Sequence, residues 1–386
     1  MTYDFDAVIE RRGTNSMKYD FAREMGKPDG ILPMWVADMD FAAPPEVLAD
    51  LQKIAAHGIF GYTEPRDAYY EAVADWFGAR FGYHATRREI VTSPGVVFAL
   101  AQAVRAYTNP GDAVLVQTPV YYPFYDIIQD NGRTLVRNPL LYKSGRYSID
   151  FFDFERKIAE NAVKLFILCS PHNPVGRVWT RAELERIDGI CEKRGVIVVS
   201  DEIHCDFAWD GHTHTCYGLI NEDAIIATAP SKTFNLAGLH ISNVIVKNSD
   251  LRKMLVDEID RTGFSLMNVF GLAACQSAYA KGGQWLAELK AYLFENIRLA
   301  REYLAARIPK VKLVEPEGTY LLWLDFKQFE FAQVELDRLM AEKARLWLNS
   351  GTVFGADGEG FSRINIACPK STLEDALGRL EKTFDI

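Results

Sequence analysis

VIVVSDEIHCDF, residues Val196–Phe207, opens on four β-branched residues and then turns polar. The run reads as a short strand buried on both faces. An Asp at the end of such a strand is costly without a partner, so Asp201 is either a cap or half of a buried pairing. Two nearby stretches repeat the form. KLFILCSPHNPVG (Lys164–Gly176) is an apolar run followed by a loop of Pro, Asn and Gly. AIIATAPSKTFNLAGL (Ala224–Leu239) is an apolar run followed by a lysine among small and apolar residues. Asn173, Asp201 and Lys232 thus follow three successive strands, with room for a crossover helix between each pair. Open α/β folds place ligands at the carboxyl ends of their strands. Taken singly, Asn173 also reads as a turn former and Lys232 as a snorkelling surface residue.

Working outward, strands are predicted at Ala113–Gln117, Lys164–Cys169, Val196–Ser200, Ala224–Thr228 and Ile241–Val246. Helices are predicted between several of them, including Val96–Tyr107 and Arg181–Lys193. This rhythm predicts a mostly parallel sheet covered on both faces. The link from Ala224–Thr228 to Ile241–Val246 is too short for a long crossover helix and predicts one antiparallel pair. In VTSPGVVFAL (Val91–Leu100), Pro94 suits an early helical position and Gly95 lets a ligand approach the backbone. Free N–H groups at Gly95 and Val96 suit a phosphate, although a plain helix start fits the same residues.

Nearer the N-terminus, PEVLADLQKIAAHG (Pro45–Gly58) and RDAYYEAVADWFGARFG (Arg66–Gly82) read as helices, each ending on a glycine. MWVADMDF (Met34–Phe41) sets two acids into an apolar run, as in a segment folded over a site or a surface loop with satisfied carboxylates. Past residue 285 a long helix leads into VKLVEP, TYLLWLDF, AQVELDRLMAEKA and FSRINIACP, closed by the helix TLEDALGRLEKTFD. The expected division is a large domain over 46–284 and a smaller α+β domain from 285–386, completed by 1–45.

Composition narrows the classes. The 386 residues are 48% hydrophobic with a formal charge of −9, ordinary for a globular protein and against nucleic-acid binding. MTYDFDAVIERRG has no apolar signal core and the apolar runs are too short for a membrane span, which predicts a cytoplasmic protein. Cys169, Cys191, Cys205, Cys216, Cys275 and Cys368 form no CxxC pair and read as free thiols. No GxGxxG follows an early strand, which argues against a dehydrogenase. His212 and His214 in DGHTHTC read as a solvated loop, and no metal is expected.

In order, wording and spacing, the three strand-end motifs resemble the fold-type I pyridoxal-phosphate (PLP) enzymes of the aspartate-aminotransferase superfamily. Within them the chain is similar to the cystathionine β-lyase, or MalY/PatB-type carbon–sulfur lyase, group. The resemblance runs from WVADMDF to the region of Arg363 in GFSRINIACP. It implies the aspartate-aminotransferase-like α/β fold, with a mostly parallel seven-stranded sheet in the large domain. It also implies that Lys232 holds PLP as a Schiff base and later moves the substrate α-proton. Asp201 would pair with the pyridine nitrogen, Asn173 with the ring oxygen, and Tyr121 would stack on the ring. Gly95, Val96 and Ser231 would receive the phosphate, and Tyr62 in FGYTEP would reach it from the neighbouring subunit of a homodimer. Arg363 would clamp the α-carboxylate, with Ala37 also at the substrate.

Three departures from the generic aminotransferase pattern stand out: His204 replaces a Tyr, Ala229 a Ser, and His240 a phosphate-binding Arg. His204 is either a ring-oxygen neighbour or a satisfied structural histidine. The implied reaction is β-elimination from L-cystathionine or another S-substituted L-cysteine, giving thiol, pyruvate and ammonia. The alternative is an aminotransferase for aromatic or sulfur-containing amino acids. A regulatory role through a protein partner is a further implication.

Overall fold

The computed structural model describes residues 2–385. Its centre is a seven-stranded sheet ordered Ile90–Ser93, Ser242–Ile245, Ile225–Thr228, Ile197–Asp201, Leu165–Cys169, Ala113–Thr118, Thr134–Pro139. The strands run parallel except Ser242–Ile245, which is antiparallel to both neighbours. The short link after Ala224–Thr228 therefore makes the expected antiparallel pair. The two edge strands, Ile90–Ser93 and Thr134–Pro139, lie outside the five predicted ones. The first carries only two apolar residues and the second ends in a proline, a residue at home on sheet edges.

The period-two alternation of the strands feeds two cores. Leu115, Phe166, Leu168, Val198 and Ile226 face one cluster, while Val114, Val116, Ile167, Val199 and Ile225 face another on the opposite side. The helix Val96–Tyr107 covers the second face. Helices Pro45–His57 and Asp67–Phe81 pack on Val269–Lys281 at the first, and end where predicted, on Gly58 and Gly82 in the left-handed region.

The long helix Gly283–Arg307 leads to a four-stranded antiparallel sheet ordered Lys312–Val314, Leu321–Asp325, Phe361–Asn365, Asn349–Ser350. The N-terminal strand Leu32–Pro33 pairs in parallel with Leu346–Trp347, and Trp35 stacks on Trp347 with ring centroids 4.4 Å apart. The N-terminal segment thus adds to the C-terminal lobe before crossing to the large sheet. No helix among the described residues is long and apolar enough to cross a membrane. All six cysteines are buried and free.

Candidate active site

The parallel strands deliver their loops to one edge. Asp201 is the last residue of Ile197–Asp201; Asn173 and Lys232 lie just beyond Leu165–Cys169 and Ile225–Thr228. Lys232 sits in a one-turn helix, Pro230–Thr233, with its side chain part-buried in the cleft. Its ammonium donates to the Ala37 carbonyl over 2.8 Å, and the Tyr320 hydroxyl donates to the same oxygen over 3.1 Å. MWVADMDF therefore folds over the site. Asn365 fixes it there by donating to the Val36 and Asp38 carbonyls. Its two acids are satisfied: Arg11 bonds Asp38 and Asp40, and the buried Lys18 bonds Asp40 over 2.8 Å.

The electrostatics follow from burial. Burial pulls the Lys232 ammonium down to about 8, with Asp38 opposing, Arg363 assisting and Asp201 opposing. Burial pushes the Asp201 carboxyl up to about 7 against the Ile203 N–H and the Lys232 charge. Only that N–H bonds it among the described residues, over 3.1 Å to Oδ1. His204 is 3% exposed, with Nδ1 unpartnered; burial and the charges of Lys232 and Arg363 hold it well below the ordinary histidine value. Its ring lies edge-on to Tyr320, and the unpartnered Nδ1 leaves it short of the full set of partners that a satisfied structural histidine has.

Arg363 is 3% exposed and has no carboxylate partner among the described residues. It donates to Asn173 Oδ1 over 2.8 Å, Asn349 Oδ1 over 2.6 Å and the Trp35 carbonyl over 2.9 Å, and its Nε is unpartnered. Burial brings it down to about 10, with Tyr121, Tyr122 and Tyr320 opposing. A buried guanidinium held only by neutral acceptors keeps unused capacity for an anion. Because Arg363 occupies the Asn173 oxygen, the Asn173 amide nitrogen is left to donate to a ligand. Tyr121 lies close enough that both Arg363 and Asp201 act on its hydroxyl, which burial raises to about 12.

The phosphate end is a turn rather than a cationic cluster. Gly95 caps Val96–Tyr107 with φ +152°, and a Cβ there would meet open space. Pro94 therefore precedes the cap and does not occupy the first helical turn. Beneath it the hydroxyls of Ser93 and Ser242 are 2.6 Å apart, and Ser231 precedes Lys232 in its turn. Tyr62 is not brought to this cleft by its own chain, standing 97% exposed. The expected solvated loop holds for His212, which is exposed, and needs correction for His214. His214 is 5% exposed and bonds Glu202 Oε2 over 2.9 Å, because Glu202, buried beside Asp201, requires a donor.

These residues fit pyridoxal phosphate. An under-bonded buried acid would suit a ring nitrogen, an amide a ring oxygen, a lysine of lowered basicity an aldehyde, and an open glycine turn a phosphate. Sequence reasoning missed Tyr320, Asn349 and Asn365, whose polar atoms only the folded chain brings to the Val36–Asp38 carbonyls and Arg363.

Comparison with known proteins places the chain in a family. The family model for aminotransferase class I and II matches residues 31–380. Cystathionine beta-lyase PatB of Bacillus subtilis is 44% identical over 98% of this chain and 99% of its own. Protein MalY of Escherichia coli is 32% identical over 98% of each chain. The structure of cystalysin from Treponema denticola, which contains a pyridoxal 5'-phosphate cofactor, superposes with a TM-score of 0.96 at 36% identity, covering 100% of this chain and 99% of that one. The chain belongs to the class I and II aminotransferase family, in its cystathionine β-lyase, or carbon–sulfur lyase, branch.

Proposed function

We propose that this chain is a PLP-dependent carbon–sulfur β-lyase that cleaves S-substituted L-cysteines, L-cystathionine among them, into a thiol, pyruvate and ammonia. The observation that carries the reading is Arg363, a buried guanidinium without a carboxylate partner in the same cleft as Lys232 and Asp201. An amino-acid carboxylate supplies the missing anion and brings its α-carbon to the lysine. Kinship with proteins named cystathionine β-lyase supports the choice of reaction.

Bound PLP supplies an electron sink conjugated to the substrate α-carbon. Asp201 holds a proton at the ring nitrogen, and that cation in turn favours the ionised carboxylate that burial opposes. Arg363 fixes the α-carboxylate, with Asn349 and the Trp35 carbonyl setting the angle of the guanidinium. Lys232, with its ammonium lowered to about 8, has a substantial neutral fraction near neutral pH and serves as nucleophile and then as base at the α-carbon. The Ala37 carbonyl, 2.8 Å from its Nζ, is where the free amine rests. The Met34–Phe41 segment limits water over the cleft.

The active unit in this reading is a homodimer, with Tyr62 serving the partner's phosphate cup. Its support is the exposed tip formed by Ile59, Phe60 and Tyr62, an apolar patch suited to contact. Six unpaired buried thiols suit a reducing cytoplasm. The test is direct: holoenzyme is incubated with L-cystathionine and a panel of S-substituted cysteines, without keto acid, and pyruvate and thiol are measured. Stoichiometric pyruvate and thiol is the expected result. Amino-group transfer that requires a keto acid, without pyruvate from the substrate, would make the chain an aminotransferase instead.

A further inference from the structure

The loop after Ile197–Asp201 carries a second buried acid that the reaction does not touch. Asp206 is 2% exposed. Its Oδ2 accepts from the Thr233 hydroxyl over 2.8 Å and from the Trp76 indole N–H over 3.3 Å, and its Oδ1 from Arg80 Nε over 2.7 Å. The Arg80 guanidinium lies 4.7 Å from the Trp76 ring centroid. Among the described residues, Lys290, Cys205 and Tyr279 are the other titratable groups close enough to interact with this carboxylate.

Thr233 directly follows Lys232. The turn that bears them, Pro230–Thr233, has only four residues and no longer helix to hold it. Its position depends on side-chain anchors at either hand. Asn235 ties one side to the Met39 and Phe41 carbonyls of the covering segment. Thr233 ties the other to Asp206. The loop holding Asp206 is itself stiff: Cys205 N–H bonds the Glu202 carbonyl, Phe207 N–H bonds the His204 carbonyl, and the Phe207 carbonyl accepts from Thr319 N–H. Asp201 begins this loop. One rigid piece of chain therefore sets both the acid at the ring nitrogen and the turn of the lysine at the opposite end of the ring.

We propose that Asp206 is a positioning residue for Lys232, registering the lysine turn against Asp201 through the Thr233 hydroxyl. This rests on the reading of Lys232 as the cofactor lysine. Arg80 and Trp76 fix the carboxylate from behind, so the aim of the lysine is set from the helix Asp67–Phe81 as well as from the sheet.

The test compares Thr233→Val, which removes the hydroxyl at constant shape, with Thr233→Ser, which keeps it. The readouts are the pH midpoint of the visible band given by cofactor joined to Lys232, kcat and KM, and the thermal midpoint of the cofactor-free protein. Thr233→Val and Asp206→Asn should each move the band midpoint by about 0.5 pH unit or more. They should lower kcat about tenfold, while KM stays within roughly twofold because Arg363 is untouched. Thr233→Ser should behave as wild type. Where Thr233→Val does not fold, Thr233→Ala against Thr233→Ser carries the same comparison. An unchanged band midpoint with only a lowered thermal midpoint, or equal behaviour of Ser with Val or Ala, overturns the proposal. If wild type itself gives no band, or Lys232→Ala retains it, the cofactor-lysine reading has failed instead.

Discussion

Arg363 donates to the side-chain oxygen of Asn173 over 2.8 Å, so the two residues proposed to hold the substrate carboxylate and the cofactor ring oxygen are hydrogen-bonded to each other. In the proposed function, this one contact would couple substrate docking to ring orientation.

Replacing Arg363 by Ala should lower kcat/KM by a hundredfold or more, since a paired set of charge-assisted hydrogen bonds is worth about 3 kcal/mol or more. Arg363→Lys should also lose most of the activity, because an ammonium cannot reproduce the planar fork. A methyl ester substrate should lose little further in Arg363→Ala, as both changes remove the same interaction. Steady-state kinetics with both substrates checks this. Additive losses would place the carboxylate elsewhere.

Asp201 gives a pH test on the cofactor-free protein. Burial raises its carboxyl to about 7, whereas an unfolded Asp titrates near about 3.9. Between these values the folded chain keeps a proton that the unfolded chain has lost. The stability contributed by this group is full below about pH 4 and is lost as pH rises through about 7. Relative to Asp201→Asn, cofactor-free wild type should lose stability across that window, with an upper limit on the order of 4 kcal/mol. Urea midpoints at a series of pH values provide the measurement, and a difference that stays flat would mean Asp201 is already ionised in the empty pocket.

Lys232 titrates in the opposite sense. Its ammonium is lowered to about 8 by burial, so the neutral amine dominates above that pH. Because the neutral amine is the nucleophile, PLP uptake by the cofactor-free protein should quicken with pH and level off above about 8. Stopped-flow absorbance gives the midpoint, and borohydride reduction followed by peptide mapping should place the added mass on Lys232. A midpoint near the unperturbed lysine value would contradict the desolvated cleft.

The parts of the site legible in the sequence were those at strand ends. Asp201, Asn173 and Lys232 each follow a short apolar run, and a polar residue there must be accounted for locally. Partners supplied by distant chain were not legible. Asn365 bonds carbonyls of Val36 and Asp38 from the other end of the chain, and Ala37 meets Lys232 through a backbone oxygen that no residue type advertises. Arg11 and Lys18 pair with Asp38 and Asp40, but Arg12, Arg23 and Lys27 also precede these acids, so the sequence does not single out the partners. His214 was misread because its immediate neighbours are polar; the demand came from Glu202, buried on the next strand-end position after Asp201.

Tyr62 tests the dimer. It stands 97% exposed on the connection between helices Pro45–His57 and Asp67–Phe81, and its own chain gives its hydroxyl no acceptor among the described residues. With Gly95 read as the phosphate turn, His240 stands in the sequence where the generic aminotransferase pattern has a phosphate-binding arginine, which raises the value of a phenolic donor from outside. A hydroxyl bonded to a charged phosphate contributes about 1.5–3 kcal/mol, so Tyr62→Phe should weaken PLP retention roughly ten- to hundredfold without unfolding the protein. Whether the hydroxyl acts across the interface is decided by subunit exchange. Lys232→Ala chains, which are inactive, are mixed with Tyr62→Phe chains of reduced activity, and the heterodimer is isolated and assayed. If Tyr62 serves the partner, one site of the heterodimer carries both defects and the other carries neither. The second site then shows wild-type kcat and PLP affinity, giving the heterodimer half the wild-type activity. If Tyr62 serves its own chain, the only site with a lysine lacks the hydroxyl, and the heterodimer shows weakened PLP retention throughout.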